Sequence, residues 1–249
     1  MNNIPKDHPR YKSLLYRKKI SQAMKNGLVH ETGLIAHGRG EAFDYLIGEK
    51  TVDIAYLAEK TAAAALLIAR NPVISVNGNV VALASLECIS LADCIPAKIE
   101  VNLFHRTKER INRLSDELIS NGAKDIYGRK GDARIPGLSS DRALCDKDGI
   151  FSSDVILVPL EDGDRCQALV DMKKKVITID LNPLSRTSKT ADITIVDNLI
   201  RAIPNIEKWI YKLKGTSKKQ LNDIVESWNN EKMLSEIMFF LSKRLNLMF

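Results

Sequence analysis

Val176-Ile-Thr-Ile-Asp-Leu-Asn-Pro-Leu-Ser-Arg-Thr187, followed by Ala191-Asp-Ile-Thr-Ile-Val-Asp-Asn198, decides how this chain is read. Two β-rich apolar runs each end in an acid and an asparagine. The loop between them carries a proline, two serines and Arg186. In a parallel sheet, strand ends meet helix N-termini in a crevice, which is where ligands sit. Asp180, Asn182 and Asn198 are therefore candidates to hold hydroxyls and base edges of a nucleotide, and Arg186 to grip a phosphate.

Upstream, apolar strands alternate with helical stretches. Short strands are expected at Val73–Val76, Lys98–Phe104, Asp125–Tyr127 and Asp154–Leu160. Helices are expected at Val80–Asp93, Thr107–Ser120 and Gly163–Met172. Strands separated by helices of ten or so residues imply βαβ units. The expected fold is therefore α/β: a Rossmann-like parallel sheet with helices on both faces and helical extensions at both termini. One domain over residues 1–249 is expected. Residues 1–70 would supply N-terminal helices and a Gly-rich loop, 71–198 the sheet core, and 199–249 the C-terminal helices. In detail, Pro5–Pro9 reads as an extended arm and Tyr11–Asn26 as a helix. Gly33–Tyr45 reads as a glycine-rich loop, and Thr51 as the N-cap of an alanine-rich helix. Gly128–Gly149 reads as an irregular insert.

With 249 residues, 45% hydrophobic and 27% charged, the chain has enough apolar residues for a core. No window offers a membrane span. The opening Met1-Asn-Asn-Ile-Pro-Lys-Asp-His8 lacks the apolar core of a signal peptide, so a cytoplasmic protein is expected. A net charge of +6 suits nucleic acid or phosphorylated small molecules. The basic runs are short and scattered, and aromatics amount to 6%, so stacking platforms for nucleic acid are missing. Four cysteines and four histidines show no zinc spacing.

Gly38-Arg-Gly-Glu-Ala-Phe43 starts like a dinucleotide fingerprint, but Phe43 stands where Gly or Ala is required. Glycines on either side of Arg39 would still let backbone approach a ligand while the guanidinium forks onto phosphate. Asn77-Gly78-Asn79 follows a strand and opens a helix, offering N–H groups to an anion. Glu161, Asp162 and Asp164 crowd three carboxylates beside Arg165, an arrangement suited to magnesium or a substrate ammonium. Arg134 could reach the site from the insert.

Taken together, several segments resemble the archaeal phosphopantothenate synthetase (4-phosphopantoate–β-alanine ligase) family. They are His8-Pro-Arg-Tyr-Lys-Ser-Leu14, Gly33-Leu-Ile-Ala-His-Gly-Arg-Gly-Glu-Ala-Phe-Asp-Tyr-Leu-Ile-Gly-Glu49, Ser75-Val-Asn-Gly-Asn79, Val101-Asn-Leu-Phe104, Val158-Pro-Leu-Glu-Asp-Gly-Asp-Arg165 and the two opening stretches. The resemblance implies a homodimeric enzyme that joins 4-phosphopantoate to β-alanine, using ATP and Mg2+ and releasing AMP and pyrophosphate through an acyl-adenylate. It implies ATP contacts at Arg17, Arg39, Asp180, Leu181, Asn182, Arg186, Thr187, Asn198 and Leu199. Arg39, Arg186 and Asp162 are then the expected catalytic groups. Asn77, Gly78, Asn79, Arg134, Glu161, Asp164 and Arg165 are expected to bind substrate, and the metal ligands stay open. The competing readings are a nicotinamide-dependent oxidoreductase and a non-catalytic nucleotide-binding module.

Overall fold

Apolar side chains along the strands divide between two layers. Val155, Leu157, Ile177 and Ile179 join the larger core, while Ile156, Val158 and Val176 join a smaller one on the opposite face. A sheet covered on both faces requires this two-sided apolar alternation. The computed structural model describes residues 4–247, so 1–3 of the opening stretch and 248–249 lie outside the described residues.

In chain order, α1 (Tyr11–Lys25), α2 (Glu31–Ile47) and α3 (Asp53–Ile68) precede the first strand. Next come β1 (Val73–Val76), α4 (Gly78–Cys94), β2 (Lys98–Val101), α5 (Lys108–Ser120) and β3 (Ile126–Tyr127). A small antiparallel pair follows, β4 (Ala133–Arg134) with β5 (Leu144–Cys145). Then come β6 (Val155–Leu157), α6 (Gly163–Asp171), β7 (Lys175–Ile179), α7 (Arg186–Thr190) and β8 (Ile193–Ile195). The described chain closes with α8 (Leu199–Leu213), α9 (Lys218–Glu226) and α10 (Asn230–Asn246).

The six-stranded sheet has the order β3-β2-β1-β6-β7-β8, and every pairing is parallel. Without the antiparallel pair, the order across the sheet is third, second, first, fourth, fifth, sixth. This is the doubly wound order, and its topological switch point lies between β1 and β6. The expected α/β class, with helices on both faces, is what the chain forms.

Helix α3 is alanine-rich for a packing reason. Ala62, Ala63, Ala64 and Ala65 are fully buried, and the helix packs against α8, α9 and β8. Helix α8 buries Leu199, Ala202, Ile203, Ile206, Ile210 and Leu213, spaced as one helical stripe. Helix α4 is broken at Ala84, whose φ of −144° and ψ of 33° are non-helical, so its first turns run apart from the rest.

Four local expectations are corrected. Pro5–Pro9 is a pair of turns, with His8 N–H donating to Pro5 O, not an extended arm. Gly33–Tyr45 is not a loop but the body of α2. Its glycines weaken helix propensity, yet tertiary contacts hold it, and Gly48 in the left-handed region stops it. Val52, not Thr51, occupies the N-cap of α3, because the Thr51 hydroxyl donates to Asp197 Oδ2 at 2.5 Å. The insert is not merely irregular, since it contains the β4–β5 pair and is tied down by buried acids.

Glu100 on β2 accepts the N–H groups of Asp146 (2.9 Å) and Ile150 (2.6 Å), and Asp146 in turn accepts those of Gly128 and Gly131. Burial outweighs these bonds and raises the Glu100 carboxyl to about 7. A carboxyl raised in the folded state binds more protons there than when unfolded. Its contribution to stability is complete below pH 4.5 and is lost as pH climbs to about 7. Urea unfolding of wild type and Glu100→Gln across that window should therefore diverge, the wild type losing up to about 1.4 kcal/mol per pH unit relative to the variant. A difference independent of pH would show that this carboxyl does not titrate there.

Candidate active site

Two glycines set the roof of the site. A Cβ on Gly33 would lie 2.4 Å from Asn79 Oδ1, and one on Gly78 would lie 2.4 Å from Leu28 O. Only glycine lets α2 lie this close to the start of α4, and Asn79 Nδ2 seals the contact by donating to Gly33 O at 2.8 Å. Beneath α1 and α2 lies a cleft of about 680 Å³. Its floor is built from the C-terminal ends of the strands. Asn77–Asn79 follow β1, Asn102–His105 follow β2, Leu160–Asp162 follow β6, Leu181 follows β7, and Asn198–Arg201 follow β8. The switch point of the sheet opens directly into it.

Helix α2 presents one face to this space: Gly33, His37, the adjacent Gly40 and Glu41, and Asp44 follow one another at helical spacing. Glu41 is engaged. Arg17 donates to its Oε2 from Nε (2.8 Å) and Nη2 (2.5 Å), and Ser13 donates to its Oε1. Burial pushes the Glu41 carboxyl up, but Arg17 and Ser13 outweigh it and hold it below its usual value. Asp44 is tied to the strand-end of β8. Arg201 Nη2 reaches Asp44 Oδ1 (2.6 Å) and Asp197 Oδ1 (2.5 Å), while Asn198 Nδ2 donates to Asp44 Oδ2 (2.7 Å). Behind Asp197, burial raises fully buried Glu59 to about 9, and the neighbouring Asp197 adds to the rise.

The sequence-selected residues divide into three groups. Arg39, Asn77, Gly78, Asn79, Glu161, Asp162, Leu181, Asn198 and Leu199 line the cleft together. Asn77 also caps α4, accepting from Asn79 and Val80 N–H, while its amide reaches across the switch point to Leu160 O at 2.9 Å. Arg17 stands just outside, through Glu41.

The second group shapes the loop after β7. Asp180 accepts Asn182 N–H (2.9 Å) and Ser185 Oγ–H (2.5 Å), and burial raises its carboxyl. Asn182 Oδ1 accepts Leu184 N–H, and Thr187 Oγ1 donates to Glu161 O at 2.7 Å, joining two loops. The Arg186 stem packs where a Cβ on Gly163 would fall, 2.6 Å away.

The third group is not brought to the cleft lining. Arg134 is exposed and donates to the carbonyls of Ser139 and Ser140. The insert instead sends Arg142, whose guanidinium lies 4.9 Å from the centre of the Phe104 ring and pairs with Asp164. Arg165 is buried, paired with Glu161 and bonded to Ser75 Oγ at 3.2 Å. Repulsion within the Glu161–Asp164 cluster is thus relieved by the chain's own arginines, with Asp162 the most exposed of the three acids. Gly38-Arg39-Gly40 lies inside α2, not between a strand and a helix. A Cβ on Gly38 would meet open space, and one on Gly40 only Leu181 at 3.6 Å. The close approaches expected of these glycines occur at Gly33 and Gly78, and the dinucleotide-fingerprint reading loses its structural basis.

Glu41, Asp44, Arg201 and His37 were missed. Read with a helical period, the Gly33–Tyr45 segment places three of them on one face. Arg201 follows Asp197 by one helical turn.

A family model described as phosphopantothenate/pantothenate synthetase matches residues 54–244. A Methanosarcina mazei protein named 4-phosphopantoate–beta-alanine ligase is 52% identical over 248 residues, covering 100% of this chain and 98% of its own length. A Thermococcus kodakarensis protein of the same name is 51% identical over 246 residues, covering 98% of this chain and 94% of its own. One from Methanospirillum hungatei is 55% identical over 210 residues, covering 84% and 86%. With this agreement across its length, the chain belongs to the phosphopantothenate/pantothenate synthetase family.

Proposed function

We infer that this enzyme condenses (R)-4-phosphopantoate with β-alanine to give 4'-phosphopantothenate, at the expense of ATP and with release of AMP and pyrophosphate. The observation that carries the reading is the cleft at the switch point of a chain that is about half identical, over its full length, to ligases of that name. The starts of α4 and α8 both line this cleft, together with Arg39, Arg110 and Arg201. Helix N-termini and guanidinium groups suit two phosphorylated substrates.

A carboxylate oxygen is a poor leaving group. Its attack on the α-phosphorus of ATP expels pyrophosphate and makes that oxygen part of AMP. The β-alanine nitrogen then attacks the acyl carbon, the bond to AMP breaks, and the amide remains. No covalent bond to the enzyme is needed, so positioning and electrostatic stabilisation supply the rate. Arg17, Arg39 and Arg186 are the proposed grips on the ATP phosphates. Asp180, Leu181, Asn182, Thr187, Asn198 and Leu199 would shape the nucleoside site, Asp180, Asn182 and Thr187 through the loop they hold. Asn77, Gly78 and Asn79 would take an anionic part of 4-phosphopantoate. Glu161, Asp164 and Arg165 act by shaping the β6–α6 loop, and Arg134 takes no substrate contact in this reading.

For magnesium, the described residues contain no group of three or more metal-ligating side chains. Mg2+ needs only one or two carboxylates beside phosphate oxygens and water. Asp162, half-exposed at the cleft, fits that demand. The ion would neutralise phosphate charge there.

The reading takes residues 1–249 as one ligase domain, supported by a main core that includes Ile20 of α1, Ile74 of β1 and Ile206 of α8. It takes the enzyme as a cytoplasmic homodimer. No helix among the described residues is long and apolar enough to cross a membrane, and α10 leaves Phe239 and Leu245 exposed as a surface for a second copy.

Pyrophosphate release should require ATP, 4-phosphopantoate and β-alanine together in steady state. Release that persists at full rate without either organic substrate would overturn the ligase reading.

A further inference from the structure

Three acids of the cleft are already engaged: Glu41 by Arg17 and Ser13, Asp44 by Arg201 and Asn198, Glu161 by Arg165. Of the cleft histidines, His30 and His105 stack on each other, and His37 stands apart from them. His37 lies on the cleft-facing stripe of α2, one turn from Gly33 and one from Glu41. Its Nε2 is shielded from solvent and has no hydrogen-bond partner. A shielded imidazole nitrogen without a partner costs free energy, and a turn of the ring into the cleft that His37 lines removes that cost by letting a ligand reach it. The charged groups nearest in effect are Glu41 on its own helix and Arg17 on α1, with Asp162 and Arg201 on other walls of the same cleft. Burial, opposed by Glu41 and aided by Arg17, lowers the pKa of the ring and so favours its neutral form.

The proposed ligation has a demand that an unpartnered imidazole can meet. β-Alanine arrives with its nitrogen protonated and without a free lone pair. We propose that His37 is the catalytic base that takes this proton in the amide-forming half of the reaction. The N–H bond breaks toward the imidazole and frees the nitrogen lone pair. The C–N bond then forms at the acyl carbon, and the C–O bond to AMP breaks with its electron pair leaving on the phosphate oxygen. A second proton passes from the adduct nitrogen to water, and the imidazolium returns its own proton to solvent. This inference rests on the ligase reading.

The test separates the two halves of the reaction in the full-length enzyme. For His37→Gln, kcat/KM for β-alanine should fall about 100-fold. ATP–pyrophosphate exchange dependent on 4-phosphopantoate should stay nearly intact, because it needs no amine. The residual ligation should climb tenfold per pH unit where the wild type is level, since only free amine from solution then reacts. Hydroxylamine, already unprotonated at neutral pH, should consume the adenylate equally fast in both enzymes. Equal losses in exchange and ligation would overturn the proposal, as would unchanged ligation. Should the variant not fold, the wild type still decides. Its ligation rate must carry an acidic limb, at or below the usual imidazole range, that the exchange reaction lacks. Absence of that limb overturns the role of His37. Absence of exchange in the wild type overturns the ligase reading instead.

Discussion

Arg165→Met is expected to lower the unfolding free energy by about 3–5 kcal/mol. The guanidinium is buried, pairs with Glu161 and bonds to Ser75 on β1. Removing it leaves the Glu161 carboxylate enclosed without its ion-pair partner and with only the more distant Arg142 to oppose burial, which already raises that carboxyl while Arg165 restrains the rise. The folded variant would hold the proton on Glu161 to higher pH than the wild type does. The deficit should therefore be small below about pH 4 and widen as pH rises, because the unfolded chain ionises first. Pairing the change with Glu161→Gln should recover part of the loss, since no buried charge is then left alone. Urea titrations from pH 4 to 8 check all three expectations. A deficit under about 1 kcal/mol at neutral pH would place the pair among ordinary surface ion pairs.

Arg39→Ala is expected to cut kcat by about 100-fold or more while leaving the fold intact. The side chain lines the cleft from an exposed position on α2, and the loop acid Asp180 feels its charge. Exposed substitutions of this kind change stability by about 0.5 kcal/mol or less. The loss should thus appear in turnover without a matching fall in thermal midpoint. Arg39→Lys should recover charge but not the two-pronged grip, and land between the two. Wild-type turnover in Arg39→Ala would remove this residue from phosphate binding.

The sheet was legible because its strands are short β-branched runs bounded by acids, asparagines and glycines. Val176–Ile179 and Ile193–Ile195 are buried on both faces, and such runs have few other ways to fold. Helix α2 was not legible. Gly33, Gly38 and Gly40 lower its intrinsic helix preference by about 1 kcal/mol each, and the contacts that offset this come from Asn79 and Leu181, remote in sequence. The consequence for the site was direct. A loop reading separates Glu41, Asp44 and His37, whereas a helix collects them on one face. Charge was also read too generously. Asp164 and Arg165 looked like ligand groups, but Arg142 and Glu161 satisfy them within the protein. Arg134 lies on β4 and Arg142 in the turn just before β5, and which of them reaches the loop acids is decided by the fold of the insert, which no local pattern announces.

The discontinuity at Ala84 has an engineering meaning. It separates a short segment beside the ligand space, held by buried Val80, Val81 and Leu83, from a longer one whose Cys88, Leu91 and Ala92 are buried. Each segment thereby has its own anchorage. Repacking the lower segment can change how firmly the architecture stands, with little effect on where the upper one is directed.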